Sequence, residues 1–393
     1  MIMILVIAYI VDLNMANMET SCHIIPIRLQ PVCSERPDSV TAQASNDSTW
    51  RIAQAILLLA GIVLFGLLLF RPELGLIVMW NMLIPAAPGL LVVAPGIWRN
   101  VCPLSTMSLL PRRLALSRKI ILPRRWAGRL ALFSVALLYL IVPLRHIALD
   151  TNAPMTALML LTAAVAAMGM GLLFDWRSGW CTSLCPIHPV ERLYGFAPPI
   201  TVRNMRCDSC SACTGPCPDS TRSMTPVITT ASPLDKLVGH GFTGSFTGFV
   251  YGWYQLPDLK GPLDAAQVAT AYLWPLGGAA LSLAVYLSCR KWLCLTRSSR
   301  DTLVRVFGAS AVSTYYWNRI PALVGFGPFP GTGLLYDLSG VLPAWVPMFF
   351  QLSAVAFFFW FMVSRSSANT SWMKRPAFDP ILKNRHPATR AQA

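Results

Sequence analysis

Six apolar runs constrain what this chain can fold into: Ala53–Phe70, Gly75–Trp98, Leu130–Leu149, Ala153–Phe174, Ala266–Ser288 and Leu342–Ser364. Each is close to the roughly 20 residues a helix needs to cross a bilayer. In lipid the backbone must pair within its own segment, so such runs become helices. Only 12% of the residues are charged, against about 25% in a soluble domain. Two weaker runs follow the same length rule. Leu237–Leu256 is rich in glycine and aromatic residues, and Leu303–Gly325 carries Arg305 and Arg319. The predicted fold is an all-α polytopic membrane protein with about six to eight transmembrane helices.

Charge orders the helices. The net charge is +15, but the basic residues gather in loops between apolar runs, as the positive-inside rule requires. With no soluble basic domain to dock on a duplex, a nucleic-acid role is not expected. Arg99–Arg129 holds eight basic and no acidic residues, which predicts a cytoplasmic loop in a multi-pass inner membrane protein. Counting spans from there puts Asp175–Lys236 on the same side. If both weak runs also cross, Arg290–Arg305 and Arg365–Arg390 become cytoplasmic too, whereas six helices would leave Arg290–Arg305 outside. Eight helices fit better. Arg319 then lies near the outer end of its helix and must snorkel or pair.

The chain divides into a polar N-terminal segment (1–52), a four-helix region of two hairpins (53–174), a cytoplasmic loop (175–236), a second membrane region (237–364) and a basic tail (365–393). Met1–Val11 is apolar, yet it is too short to span and has no basic region before it. Met15 and Met18 are alternative starts.

The chemistry sits in the loop. Cys207, Cys210, Cys213 and Cys217, followed by Pro218, form a C-x2-C-x2-C-x3-C-P run, the spacing by which thiolates wrap cubane iron–sulfur clusters. Zinc sites use two cysteine pairs separated by a longer arm, and this spacing is too crowded for that. A reducing compartment disfavours disulfides. Each hairpin also ends in a Cys-Pro. Trp98-Arg99-Asn100-Val101-Cys102-Pro103 and Cys181-Thr182-Ser183-Leu184-Cys185-Pro186 align as W-x3-C-P and C-x3-C-P, an internal repeat that would gather cysteines on one face. Membrane-edge cysteines can also be small hydrophobes. Cys102, Cys181 and Cys185 are nevertheless candidate cluster ligands beside the quartet.

Quartet and trio supply seven thiolates, one short of two [4Fe–4S] clusters. Cys289, Cys294, His188 or an open iron site could complete the set, since imidazole can replace a thiolate on iron. His146 and His240 fall at opposite ends of the membrane and cannot share one haem; both read as interfacial histidines. Cys22 and Cys33 read as free thiols. Trp176, Arg177, Trp180, Arg192 and Tyr194 flank the Cys181 loop, either as an interfacial anchor or as a quinone pocket. No G-x-x-x-x-G-K-[ST], G-x-S-x-G or H-E-x-x-H is present, and intramembrane carboxylates are scarce, against a proton-coupled transporter.

The C-x3-C-P at a membrane exit (Cys181, Cys185, Pro186), followed by the Cys207–Pro218 run, resembles the membrane-bound ferredoxin-type proteins related to NapH and NosR. The resemblance covers roughly Gly75 to Pro218. It implies ligation by Cys181, Cys185, Cys207, Cys210, Cys213 and Cys217, and electron transfer between the quinol pool and a partner redox enzyme. A maturation factor for a metalloenzyme is the alternative it carries, and a redox or iron sensor is a third reading. The chain departs from the pattern in having one ferredoxin run where two are typical, and Trp98 in the first cysteine position of the first hairpin loop.

Overall fold

The long apolar runs all become helices in the structure, a computed structural model that describes residues 46–120, 124–174, 179–195, 198–205, 233–261, 264–292, 297–365 and 373–374. The principal helices are α1 (Asn46–Phe70), α2 (Pro72–Val93), α3 (Pro95–Val101), α4 (Pro103–Arg113), α5 (Arg124–Leu144), α6 (Ala153–Leu173), α7 (His188–Tyr194), α8 (Pro233–Trp253), α9 (Ala265–Trp292), α10 (Arg297–Leu323) and α11 (Trp345–Phe359). Among the described residues, six helical segments are long and apolar enough to cross a membrane: Thr49–Phe70, Pro72–Val93, Gly128–Leu149, Ala153–Leu173, Ala265–Trp292 and Trp345–Ser364. The protein is therefore an all-α polytopic membrane protein.

The run Gly75–Trp98 is not one helix. It breaks at Ala94 (φ −146°, ψ 61°), just before Pro95 at the first turn of α3. Proline disfavours helical geometry in the residue before it and has no N–H to continue the ladder.

The two weak runs are helices α8 and α10, and packing explains their lower hydropathy. Gly244, Gly248 and Gly252 form a stripe on α8 that meets α9 in antiparallel order. A methyl group on Gly248 would collide with the Gly278 carbonyl, one on Gly252 with the Trp274 carbonyl, and one on Gly244 with the Tyr286 ring. Small residues at this spacing let two backbones approach closely. Helix α10 runs parallel to α8, with Thr247 Oγ1 donating to the Phe307 carbonyl (3.0 Å) and the Tyr254 and Tyr315 rings 5.9 Å apart. Thus α8, α9 and α10 share one height. Val306, Ala309, Ala311, Val312 and Ser313 of α10 are wholly buried, whereas Ile52, Ile56, Leu59 and Ile62 of α1 are exposed as lipid-facing residues would be.

Polar groups on α10 repair breaks in α2. The stretch Ile77–Leu83 is π-helical, and Ile84 N–H reaches back to the Met79 carbonyl. Pro85 has no N–H, so the Trp80 carbonyl is left without a donor from the following turn. Arg319 Nη2 supplies it, at 2.6 Å, and also donates to Asn81 Oδ1 at 2.7 Å. One turn on, the Tyr316 hydroxyl inserts into the ladder, accepting from Gly89 N–H (2.9 Å) and donating to the Pro85 carbonyl (2.7 Å). Arg319, expected to snorkel or pair, instead serves as a capping donor inside the bundle.

The parallel course of α8 and α10 puts their N-terminal ends on the same face. Near the C-terminus, Met373–Lys374 pairs in parallel with Val202–Arg203.

Candidate functional site

The two Cys-Pro turns fold alike. Cys102 (φ −53°, ψ 125°) and Cys185 (φ −63°, ψ 120°) adopt the extended conformation favoured before proline. Cys102 N–H donates to the Trp98 carbonyl and Cys185 N–H to the Trp180 carbonyl, each at 2.9 Å. Each cysteine carbonyl accepts a backbone N–H and a hydroxyl: Thr106 N–H (3.0 Å) and Oγ1 (3.2 Å) on Cys102, His188 N–H (3.1 Å) and Ser134 Oγ (2.6 Å) on Cys185. Hydrogen bonding therefore matches Trp98 with Trp180, not with Cys181 as the Cys-Pro alignment suggests. Cys181 is the extra residue, absorbed by a π-helical turn over Trp180–Leu184. Such insertions are frequent at functional sites.

The second turn leads into α7, which lies among α2, α5 and α10 rather than outside the bundle. Gly308 makes this possible, because a Cβ there would press to 3.1 Å from the Leu193 carbonyl. Trp180 and Tyr194 are buried, with Tyr194 6.2 Å from the Phe246 ring in the main core. They are core residues. This corrects their reading as an interfacial anchor, since an interfacial ring keeps one edge in the headgroup layer. Arg192 is half-buried, and Trp176 and Arg177 lie outside the described residues.

A buried ionic group stands behind the cysteines. Arg99 Nη1 is 2.7 Å from Glu191 Oε2 and 3.1 Å from His188 Nδ1, while Nη2 donates to the Cys181 carbonyl at 3.2 Å. Glu191 Oε2 is also 3.3 Å from His188 Nδ1. Arg99 is 2% exposed and Glu191 4%. A buried charge is tolerated when paired and hydrogen-bonded. Burial pulls the His188 imidazole down to about 4, with Glu191 opposing and Arg99 adding to the fall, so the ring is neutral at pH 7. Burial likewise pushes the Cys185 thiol well up, and negative charge on Glu191, Cys181 and Cys102 adds to the rise. Cys181 and Cys102 thus both lie within electrostatic reach of Cys185.

Cys207, Cys210, Cys213 and Cys217 lie outside the described residues, as do Cys22, Cys33 and Cys294. The chain that leads into the quartet is described. Asn100 Nδ2 donates to the Arg203 carbonyl (2.8 Å) and its Oδ1 accepts from Met205 N–H (3.4 Å). Gln54 fixes the same turn by donating to the Asn100 carbonyl at 3.0 Å, and Arg113 donates to Gln54 at 2.6 Å. A residue two positions from Cys102 therefore holds the segment whose last described residue, Met205, lies two positions before Cys207. Cys289 sits elsewhere, against Tyr286, Leu303, Val306 and Phe307 between α9 and α10. Among the described residues, no group of three or more His, Cys, Asp and Glu side chains could hold a single metal ion.

The opposite end carries a second polar group that motif reading missed. Arg145 makes a two-point pair with Asp150 (2.9 and 3.0 Å) and lies over the rings of Trp80 (4.3 Å) and Trp253 (4.7 Å). His146 Nε2 donates to the Trp253 carbonyl (2.9 Å), and its Nδ1 shares a proton with Asp258 Oδ1 at 2.7 Å. Both ring nitrogens are occupied, so His146 cannot ligate a haem. His240 Nδ1 meets the Tyr286 hydroxyl at 2.8 Å. A cavity of about 740 Å³ opens at this end, lined by Glu73, Trp80, Asn81, Asp150, Asp258 and Lys260 among others. A cue was present in the sequence: Arg145, His146 and Asp150 interrupt an apolar run, and such residues are costly unless paired.

Comparison with known proteins finds no matching family model, no matching curated protein and no matching solved structure.

Proposed function

We propose that this chain is a membrane-bound iron–sulfur electron carrier. Cys102, Cys181, Cys185, Cys207, Cys210, Cys213 and Cys217 hold one or two [4Fe–4S] clusters at the cytoplasmic face of the inner membrane. The protein passes electrons between the quinone pool and a partner redox protein. One observation carries this reading: Arg99 of the first Cys-Pro turn reaches the Cys181 carbonyl of the second, and Asn100 ties the first turn to the segment leading toward the ferredoxin run.

The donor set fits the group. Thiolates are soft ligands suited to iron–sulfur clusters, and a cluster spreads its ligands over several corners where one ion would draw them together. Bound there, the cluster supplies one-electron transfer. The protein supplies the rest. The π-helical turn accommodates Cys181 without disturbing the Cys185 turn, and Ser134 and Thr106 hold the two cysteine carbonyls. Arg99 places positive charge against the Cys181 backbone, where anionic sulfur needs a counter-charge. Burial of Trp180 and Tyr194 keeps this layer dry, and burial and local hydrogen bonds tune a cluster's potential.

The test is anaerobic purification followed by iron and acid-labile sulfide quantitation and EPR of the reduced protein, before and after a quinol analogue is added. Wild type should hold iron and sulfide in equal amounts and show a reduced-cluster signal. Cys207→Ser and Cys102→Ser should each lose part of the iron. A wild-type protein that folds but holds no iron ends the proposal.

A further inference from the structure

We propose that the cavity at the end opposite the cysteines binds an organic anion, with Arg319 as the charge that recognises it. This site is independent of the iron–sulfur reading and shares none of its residues.

Among the described residues, the charges buried in the wall of this cavity are matched except for one. Asp150 is held at two points by Arg145 (2.9 and 3.0 Å). Asp258 faces His146 Nδ1 at 2.7 Å, while Nε2 of the same ring faces the Trp253 carbonyl. Both ring nitrogens meet acceptors, so ring and carboxyl are neutral as a pair wherever the shared proton rests. Glu73 and Lys260 oppose each other in sign and are exposed, where water screens them. Arg319 is the remainder. It is 3% exposed, and among the described residues no carboxylate pairs with it. Its side-chain hydrogen bonds run from Nη2 to neutral acceptors, the Trp80 carbonyl and Asn81 Oδ1, and Nε is buried with no partner. A buried charge is costly without an opposite one nearby, and within a membrane bundle such a residue points to a site.

Arg319 lies directly behind the wall, because Trp80, Asn81 and Gly333 all line the cavity. Gly333 has φ +69°, a conformation that favours glycine, and a Cβ there would collide with Arg319 Nη1. No side chain at position 333 screens the guanidinium from the cavity. The space is about 740 Å³ and is lined in part by Leu76, Ile77 and Leu334, which suit an apolar body behind a carboxylate or similar oxyanion. Guanidinium donors form charge-assisted hydrogen bonds with such heads.

The experiment is calorimetric titration of the full chain, in uncharged detergent, with benzoate, benzyl alcohol and benzylamine, which share a ring and differ in charge. Wild type should bind benzoate saturably and the other two about tenfold or more weakly. Arg319→Gln keeps an amide donor for the Trp80 carbonyl and should lose that preference. Thr151→Trp places a bulky group at an exposed position of the cavity wall, leaves Arg319 in place, and should weaken benzoate by a similar factor. Wild type that ignores benzoate or binds all three probes equally overturns the proposal. So does a folded Arg319→Gln that keeps the preference, or a Thr151→Trp that binds benzoate as wild type does, which decides the matter even where Arg319→Gln fails to fold.

Discussion

The two ends of the bundle use the same three side-chain types, a buried arginine, a histidine and a carboxylate, and leave them in different states. At the end opposite the cysteines the group is closed. Arg145 is doubly paired with Asp150 and held between two tryptophans, and both nitrogens of His146 are occupied. At the cysteine end the group runs on into the turn: Glu191 gathers Arg99 and His188, and Arg99 Nη2 continues to the Cys181 carbonyl. A closed network stabilises a fold. One that reaches the backbone of a cysteine turn couples that turn to buried charge, and that difference guides the assignment of function to one end.

The largest effect should come from breaking the network at the cysteine end. Glu191→Ala strands the buried Arg99 charge and should cost about 3–5 kcal/mol, read as lost thermal stability in detergent. Asp150→Ala strands Arg145 in the same way, but the Trp80 and Trp253 rings remain and a desolvated cation–π contact is worth about 2 kcal/mol. It should therefore destabilise less than Glu191→Ala in the same assay. If the order is reversed, the aromatic sandwich is not what holds Arg145.

Arg319→Met should cost about 1–3 kcal/mol, because the Trp80 carbonyl loses its donor, with iron content unchanged. Asn100→Ala removes the contacts to Arg203 and Met205, at about 1 kcal/mol for each hydrogen bond. Its larger consequence should appear in iron content, which falls if Asn100 positions the quartet. His146→Gln should be the mildest at the cluster: iron stoichiometry and EPR spectrum both unchanged. Iron loss in that variant would mean that the His146 end is not independent of the cysteine end.

Much of this architecture was legible in one dimension. The apolar runs and the Cys-Pro repeat each depend on residues close together in the chain. Helices α8 and α10 were harder to read because their polar residues are satisfied by other helices: Arg319 and Tyr316 answer breaks in α2 more than 220 positions away in sequence. The register of the repeat was misaligned by one residue, since a π-helical turn hides an insertion that only the hydrogen bonds of Trp98 and Trp180 reveal.

Sequence alone determined that the chain is helical and built for a membrane, and where its thiols cluster along the chain, because hydropathy and ligand spacing are local properties. Tertiary structure decided which charges are neighbours. Arg99 meets Glu191 across 92 positions and His146 meets Asp258 across 112. Such pairings follow from which helices lie side by side, and a buried charge takes its partner from whatever that packing brings within reach.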